Sequence, residues 1–281
     1  MASKRIAICG LAAVMASAQR ATGQSLVTLA IHPAVGDTIR IRFDEQRETT
    51  LRTKVRLADT SVTAKKTMLL LSHAIVTRSD ESGTTVWNTT DSIAMSATRG
   101  GVPQPVSDKD RHALQGHRIQ MHLSPQGSAT IVEGANDMPE ELQSLTSQMA
   151  ATLPMQPVGV GQTWSQVMVV PLPVEGSPVQ GGANGLTVRT IYRLDSLARG
   201  GGIAFISMKG VISRDSAAAD LGAGTKMTSS GTISGAMRFD RKRGWWTEVV
   251  STTTVSSVMH ISTSPDPIYF HSRITQRMSV P

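Results

Sequence analysis

Residues 136–164 read N-D-M-P-E-E-L-Q-S-L-T-S-Q-M-A-A-T-L-P-M-Q-P-V-G-V-G-Q-T-W, and this stretch decides the fold. Asp137 is placed to accept hydrogen bonds from the free N–H groups of a first helical turn. Pro139 falls in that turn, where a missing N–H costs little. Glu140 and Glu141 face the positive end of the helix dipole. Leu142, Leu145, Met149 and Leu153 recur at helical spacing and give one apolar face. Pro154 and Pro157 stop the helix. The pattern predicts one internal helix near 138–153, packed on a sheet face or plugging the open side of a curved sheet.

The stretch ends in Val160-Gly161-Gln162-Thr163-Trp164, an echo of Val35-Gly36-Asp37-Thr38-Ile39. The echo divides the chain into a first β-rich half, 24–136, a helix and linker, 137–157, and a second β-rich half, 158–281. The two halves are expected to form one continuous domain. Working outward, Leu26 to Ile31 is a candidate first strand, closed by Pro33. Ile39, Ile41 and Phe43 alternate with Arg40, Arg42 and Asp44, a half-buried strand. Residues 48–64 suit either a solvent-facing strand or a loop. Met68 to Val76 and Thr84 to Ala97 flank Ser79-Asp80-Glu81-Ser82-Gly83 as a hairpin. Ile119, Met121 and Leu123 alternate with Arg118, Gln120 and His122. In the second half, Leu186, Val188, Tyr192 and Leu194 share a strand face, and Ile203 to Ile212 is a further strand. Gly231 and Gly235 share a face with Ile233 and Met237, the mark of sharp curvature or close backbone approach. Trp245 to Thr263 is the longest strand candidate. The fold class is all-β, mainly antiparallel, with ten to twelve strands forming a curved sheet or half-barrel.

The chain has 281 residues, a formal charge of +7, 4% aromatic residues and 14 methionines. Methionine fills irregular cores and adaptable apolar pockets. Lys4 and Arg5, the apolar run Ile6 to Ala16, and Ala16-Ser17-Ala18 or Ala21-Thr22-Gly23 read as a signal peptide over 1–23 with its own signal helix. This implies export to the periplasm or beyond, with no transmembrane helix. Loss of Lys4, Arg5 and Arg20 with the longer cut lowers the charge to +4. The single cysteine, Cys9, lies inside that leader, so a mature chain would carry no thiol.

A chain of hairpins, one helix, then long hairpins, with Phe239-Asp240-x-x-x-Gly244 feeding a long Thr/Val strand, resembles uncharacterised exported β-rich bacterial proteins. More distantly it is similar to the lipoprotein-carrier half-barrels of the LolA and LolB type. That resemblance implies a curved antiparallel sheet with helices over an apolar concave face that holds acyl chains. This chain is longer than those carriers, has fewer helices and is doubled, and no residue carries over position by position.

Motifs for chemistry are weak. His112, His117 and His122 recur every five residues, and an odd spacing puts strand neighbours on opposite faces. No H-x-H or H-E-x-x-H occurs, so no metal site and no cofactor is expected. In Gly231-Thr232-Ile233-Ser234-Gly235 the serine stands one place late for a nucleophile elbow. Gly222-Ala223-Gly224-Thr225-Lys226 lacks the ending of a phosphate loop. No enzyme is expected. Lys65-Lys66 and Arg241-Lys242-Arg243 lack interleaved aromatics, which excludes a nucleic-acid groove. Arg241, Lys242 and Arg243 suit either a solvated turn or a peripheral envelope contact.

The reading is an exported, non-catalytic envelope protein that binds a hydrophobic or lipid-like ligand. Its candidate contacts are Met121, Trp164, Met168, Tyr192, Phe205 and Met237. The alternative is a structural or interaction module with a filled core. An outer-membrane barrel fits the strand number, but the aromatic girdles expected of one have few residues to build them.

Overall fold

The computed structural model describes residues 26–55, 58–106, 115–134, 151–170, 185–214 and 225–281. The first half supplies β1 (Thr38–Val55), β2 (Ala58–Asp80), β3 (Gly83–Arg99), β4 (Val102–Gln104), β5 (Arg118–Leu123) and β6 (Ala129–Glu133). The second supplies β7 (Thr163–Val170), β8 (Leu186–Ala198), β9 (Ile203–Arg214), β10 (Thr225–Asp240), β11 (Trp245–Ile261) and β12 (Ile268–Ser279). All pair antiparallel into one 12-stranded sheet of order β6-β5-β3-β2-β1-β12-β11-β10-β9-β8-β7, with β4 beside β3. This is the chain order written round a circle. β12 returns to pair with β1, and a seam lies between β6 and β7, which do not pair among the described residues.

Alternation decides which face is buried. Ile39, Leu70, Ala74, Val86, Ile119, Met121, Leu123, Ile206 and Met237 are buried on one face. Their neighbours Arg40, Arg42, Arg118, Arg238 and Arg277 stand on the other. Within the stretch 48–64, readable as strand or loop, residues 48–55 and 58–64 are strand: β1 and β2 pair from Thr38↔Ile75 to Val55↔Ala58. The turn after β2 is held by Asp80, which accepts from the Ser82 hydroxyl and backbone N–H. Those bonds and Arg78 pull the Asp80 carboxyl down to about 2.

The strand glycines do what their positions suggest. A Cβ on Gly231 would lie 2.2 Å from the Thr254 carbonyl oxygen, and one on Gly235 would lie 2.1 Å from that of Val250. Only hydrogen fits there, so β10 and β11 approach closely and the sheet curls.

One expectation is corrected, and a second is not met at its last turn. Leu26 to Ile31 is not a sheet strand. It is an extended segment that crosses the end of the concave face. Its backbone groups go to separate places: Val27 bridges Val158 in both directions, at 2.9 and 3.0 Å; Ile31 N–H donates to Pro125 O; and His32 N–H donates to Gly244 O. Val27, Leu29 and Ile31 point into the core, with 6%, 2% and 1% of their surface exposed. The second concerns the helix. Residues 138–150 lie outside the described residues, as does the expected leader, 1–23. Residues 151–153, its expected last turn, are irregular. The N–H groups of Thr152 and Leu153 both donate to Gln126 O, so no helical ladder forms there.

The sequence echo is also structural. Gly36 and Gly161 sit at φ of 90° and 87°, each before a strand. Gly36 N–H donates to Val76 O and Val76 N–H to Asp37 O; Gly161 N–H donates to Leu194 O and Leu194 N–H to Gln162 O. The side chains of Asp37 and Gln162 accept from Ala34 and Gly159 N–H respectively. The two turns have the same hydrogen bonds.

Candidate functional site

Three turns meet at one end of the curled sheet. The turn between β5 and β6 closes on itself, with Ser124 N–H donating to Ser128 O and Gly127 N–H to Ser124 O. The turn between β10 and β11 ends in Gly244-Trp245-Trp246. Residues 151–158 tie these to the far edge: Thr152 N–H donates to Gln126 O, while Thr152 O accepts from Trp164 Nε1 at 2.9 Å. Trp164 on β7 stacks on Tyr192 of β8, centroids 5.7 Å apart at 14°. Burial pushes the Tyr192 phenol up, opposed by a hydrogen bond with Thr190.

Beneath this cap lies a half-open cavity of about 300 Å³. Its apolar walls come from Ile41 and Phe43 on β1, Leu70 and Ala74 on β2, Val86 on β3 and Ile119, Met121 and Leu123 on β5. The opposite wall is Met237, Trp245, Trp246, Val249 and Met278. Trp245 and Trp246 meet edge to face at 5.9 Å and 73°, and Phe239 lies edge-on to Trp246 at 6.1 Å. Polar lining comes from Ser72, Asn88, Thr90, His117, Thr152, Ser251 and Gln276. One row beyond Phe43 the concave face turns polar. Glu45, 7% exposed, accepts from Gln276 Nε2 at 2.9 Å and pairs with Arg47 at 3.3 Å.

Methionine marks the whole concave face. Met68, Met95, Met121, Met168, Met208, Met227, Met237, Met259 and Met278 all take inward register positions. Met155 lies in a loop and is exposed.

Of the six candidate contacts, Met121 and Met237 line the cavity. Trp164 and Tyr192 brace its cap instead. Met168 sits further along the sheet, opposite Val188. Phe205 lies on the convex face, under Arg238 at 5.3 Å. Its neighbours Ala204 and Ile206 are the buried ones, so Phe205 is no part of the interior. The basic turn is partly structural: Arg241 Nη1 donates to Gly201 O at 2.5 Å and its Nε to Thr28 O at 3.4 Å. Lys242 and Arg243 remain exposed. His117 and His122 do fall apart, His117 in the cavity and His122 beside Thr85 on the convex side.

A larger hollow of about 630 Å³ lies at the other end of the long strands. Its wall mixes Val258, Pro267, Tyr269 and Phe270 with the charged or titratable Arg52, Asp59, Asp266 and His271, so it is less suited to a purely apolar ligand.

Residues 139–246 match a family of unknown function, DUF6263. The match agrees with the resemblance to uncharacterised β-rich proteins. A comparison with curated proteins gives no match. Among solved structures, the chain is similar to one titled "Lipid-protein interactions in lipovitellin", at 10% identity and a TM-score of 0.49. That match covers 88% of this chain and 25% of the other, so this chain spans about a quarter of its length. DynF from the dynemicin biosynthesis pathway of Micromonospora chersina gives 8% identity and a TM-score of 0.21, covering 92% of this chain and 86% of that one. An outer membrane channel from Pseudomonas putida F1 gives 8% and 0.20, covering 89% and 98%. At TM-scores below 0.5, none of these enters the reading of the site.

Proposed function

We propose that this is an exported envelope protein that binds a hydrophobic or lipid-like ligand, without catalysis, in the capped end of its concave face. The observation that carries the proposal is the cavity of about 300 Å³ walled by aliphatic, methionine and tryptophan side chains. Its size falls at the small end of ligand pockets. Affinity would come from apolar burial, at roughly 25 cal/mol per Å² removed from water. Methionine walls adapt to irregular ligands. The described lining holds no carboxylate, lysine or arginine, and His117 is its one titratable side chain.

The opposite reading, a membrane-embedded barrel, asks for an apolar outer surface and a polar interior. Here the convex face is charged as well as apolar: Arg40, Arg42, Glu48, Arg189, Lys209, Arg238 and Arg277 stand exposed on it beside Val167, Val169, Ile191 and Val211. No helix among the described residues is long and apolar enough to cross a membrane.

The test is to purify the mature protein from its native envelope without detergent and extract it for mass spectrometry. The expected result is a near-stoichiometric apolar or amphiphilic molecule. A clean protein whose unfolding midpoint is unmoved by added lipids would remove the proposal and leave an interaction module with a merely underpacked core.

A further inference from the structure

Among the described residues that line the cavity, five hold a buried nitrogen or oxygen for which no hydrogen-bond partner is found: Asn88 Oδ1, His117 Nε2, Thr152 Oγ1, Trp245 Nε1 and Trp246 Nε1. A buried polar group without a partner costs about 1–3 kcal/mol. Native structures rarely leave several of them in one place unless water or a ligand completes them. Trp245 and Trp246 are each only 5% exposed. Their rings are fixed by packing on each other, which holds both indole N–H groups without satisfying them.

We propose that the cavity selects an uncharged amphiphile, whose apolar body fills the walls and whose hydroxyl or carbonyl group meets these atoms. This rests on the binding function proposed above and narrows it. The chemistry of the five atoms sets the class. An indole N–H only donates, so Trp245 and Trp246 require an acceptor. Asn88 Oδ1 only accepts, while Thr152 Oγ1 and His117 Nε2 serve either way. A hydroxyl answers both needs, and a carbonyl answers the donors. A carboxylate or phosphate fits poorly, because the described lining offers no lysine or arginine and a buried charge needs a partner. Thr152 and the tryptophans are at the capped end, while Asn88 and His117 stand on the β3–β5 wall, where the His117 carbonyl accepts from Thr90 N–H.

The experiment uses protein carrying [methyl-13C]methionine, with Met121, Met237 and Met278 as reporters. It is titrated separately with 1-octanol, octanoate and octane. An apolar hole with nothing to offer a hydroxyl would prefer octane, because an unpaired hydroxyl is costly to bury. The expected result is that 1-octanol binds at least as tightly as octane and about tenfold or more tighter than octanoate, the factor of one hydrogen bond or more. Trp246→Phe should weaken 1-octanol about tenfold more than it weakens octane. If that variant does not fold, the wild-type comparison still decides. Tighter binding of octane, or of octanoate, than of 1-octanol overturns this inference while leaving a hydrophobic binding protein. If none of the three shifts the reporters, the binding function falls as well.

Discussion

Trp246 is held in place by the absence of a side chain on another residue. A Cβ on Gly127 would lie 2.4 Å from Trp246 Cη2, and Gly127 adopts a φ of +90° that side chains disfavour. Gly127→Ala therefore incurs both backbone strain and overpacking, together about 2–4 kcal/mol. A urea titration should show that loss with an unchanged slope. A cost below about 0.5 kcal/mol would mean that the indole has room to move and that the cavity wall is soft. Trp246 also shows what alternation can and cannot reveal. Met121 and Met237 were readable as interior because each stands in a clean period of two. Phe205 was not, since Ile203-Ala204-Phe205-Ile206 is apolar on both faces and its strand is bulged against β8 between Leu194 and Ser196. Nor were Asn88, His117 and Thr152, whose shared cavity is assembled from three separate segments. The Trp245-Trp246 doublet after Gly244 was the one local signal available, since two large rings at a strand start need a core to enter.

At the scale of elements, hairpins were legible and long-range pieces were not. The β2–β3 turn announces itself through Asp80 and Gly83, and Gly231 and Gly235 foretold the tight approach of β10 and β11. The pairing of β1 with β12, Arg42↔Ser279 through Arg52↔Tyr269, leaves no local trace because pairing partners more than two hundred residues apart share no turn. Leu26 to Ile31 looked like a strand for a sound reason: its apolar residues alternate. Its real role is to plug the capped end, since its donors serve three turns rather than a neighbouring strand. Ile31, 1% exposed, is the deepest of its residues. Ile31→Ala should cost about 2–5 kcal/mol, the range for a buried aliphatic truncation. Chemical denaturation would show it, and Val35→Ala, at an exposed site beside it, should lie within about 0.5 kcal/mol of wild type. Equal effects at the two positions would mean that the segment docks only loosely.

For the molecule as a whole, the circular strand order has a consequence for how the chain could be cut. Both ends of the described chain meet around the β10–β11 turn: Thr28 O accepts from Arg241 Nε, and Val280 N–H donates to Thr247 O. The seam between β6 and β7 is where the sheet is already interrupted. A circular permutant that joins 281 to 26 through a short flexible linker and opens between β6 and β7 would carry β7 to β12 and then β1 to β6. Every strand except β5, which follows β4 but pairs with β3, would then follow its spatial neighbour in sequence, and the β12–β1 pairing would become an ordinary hairpin. Local pairings close smaller loops and form faster than distant ones. The permutant should therefore fold to the same sheet, with the same far-UV circular dichroism and a refolding rate at least equal to that of the natural order. It should also lose some stability, because residues 151–158 would no longer be tethered on both sides where they bind Gln126 and Val27. Failure of the permutant to recover the sheet would show that the linker across the seam is part of what closes the capped end. In that case the cavity depends on chain continuity at 134–158 as well as on the strands that wall it.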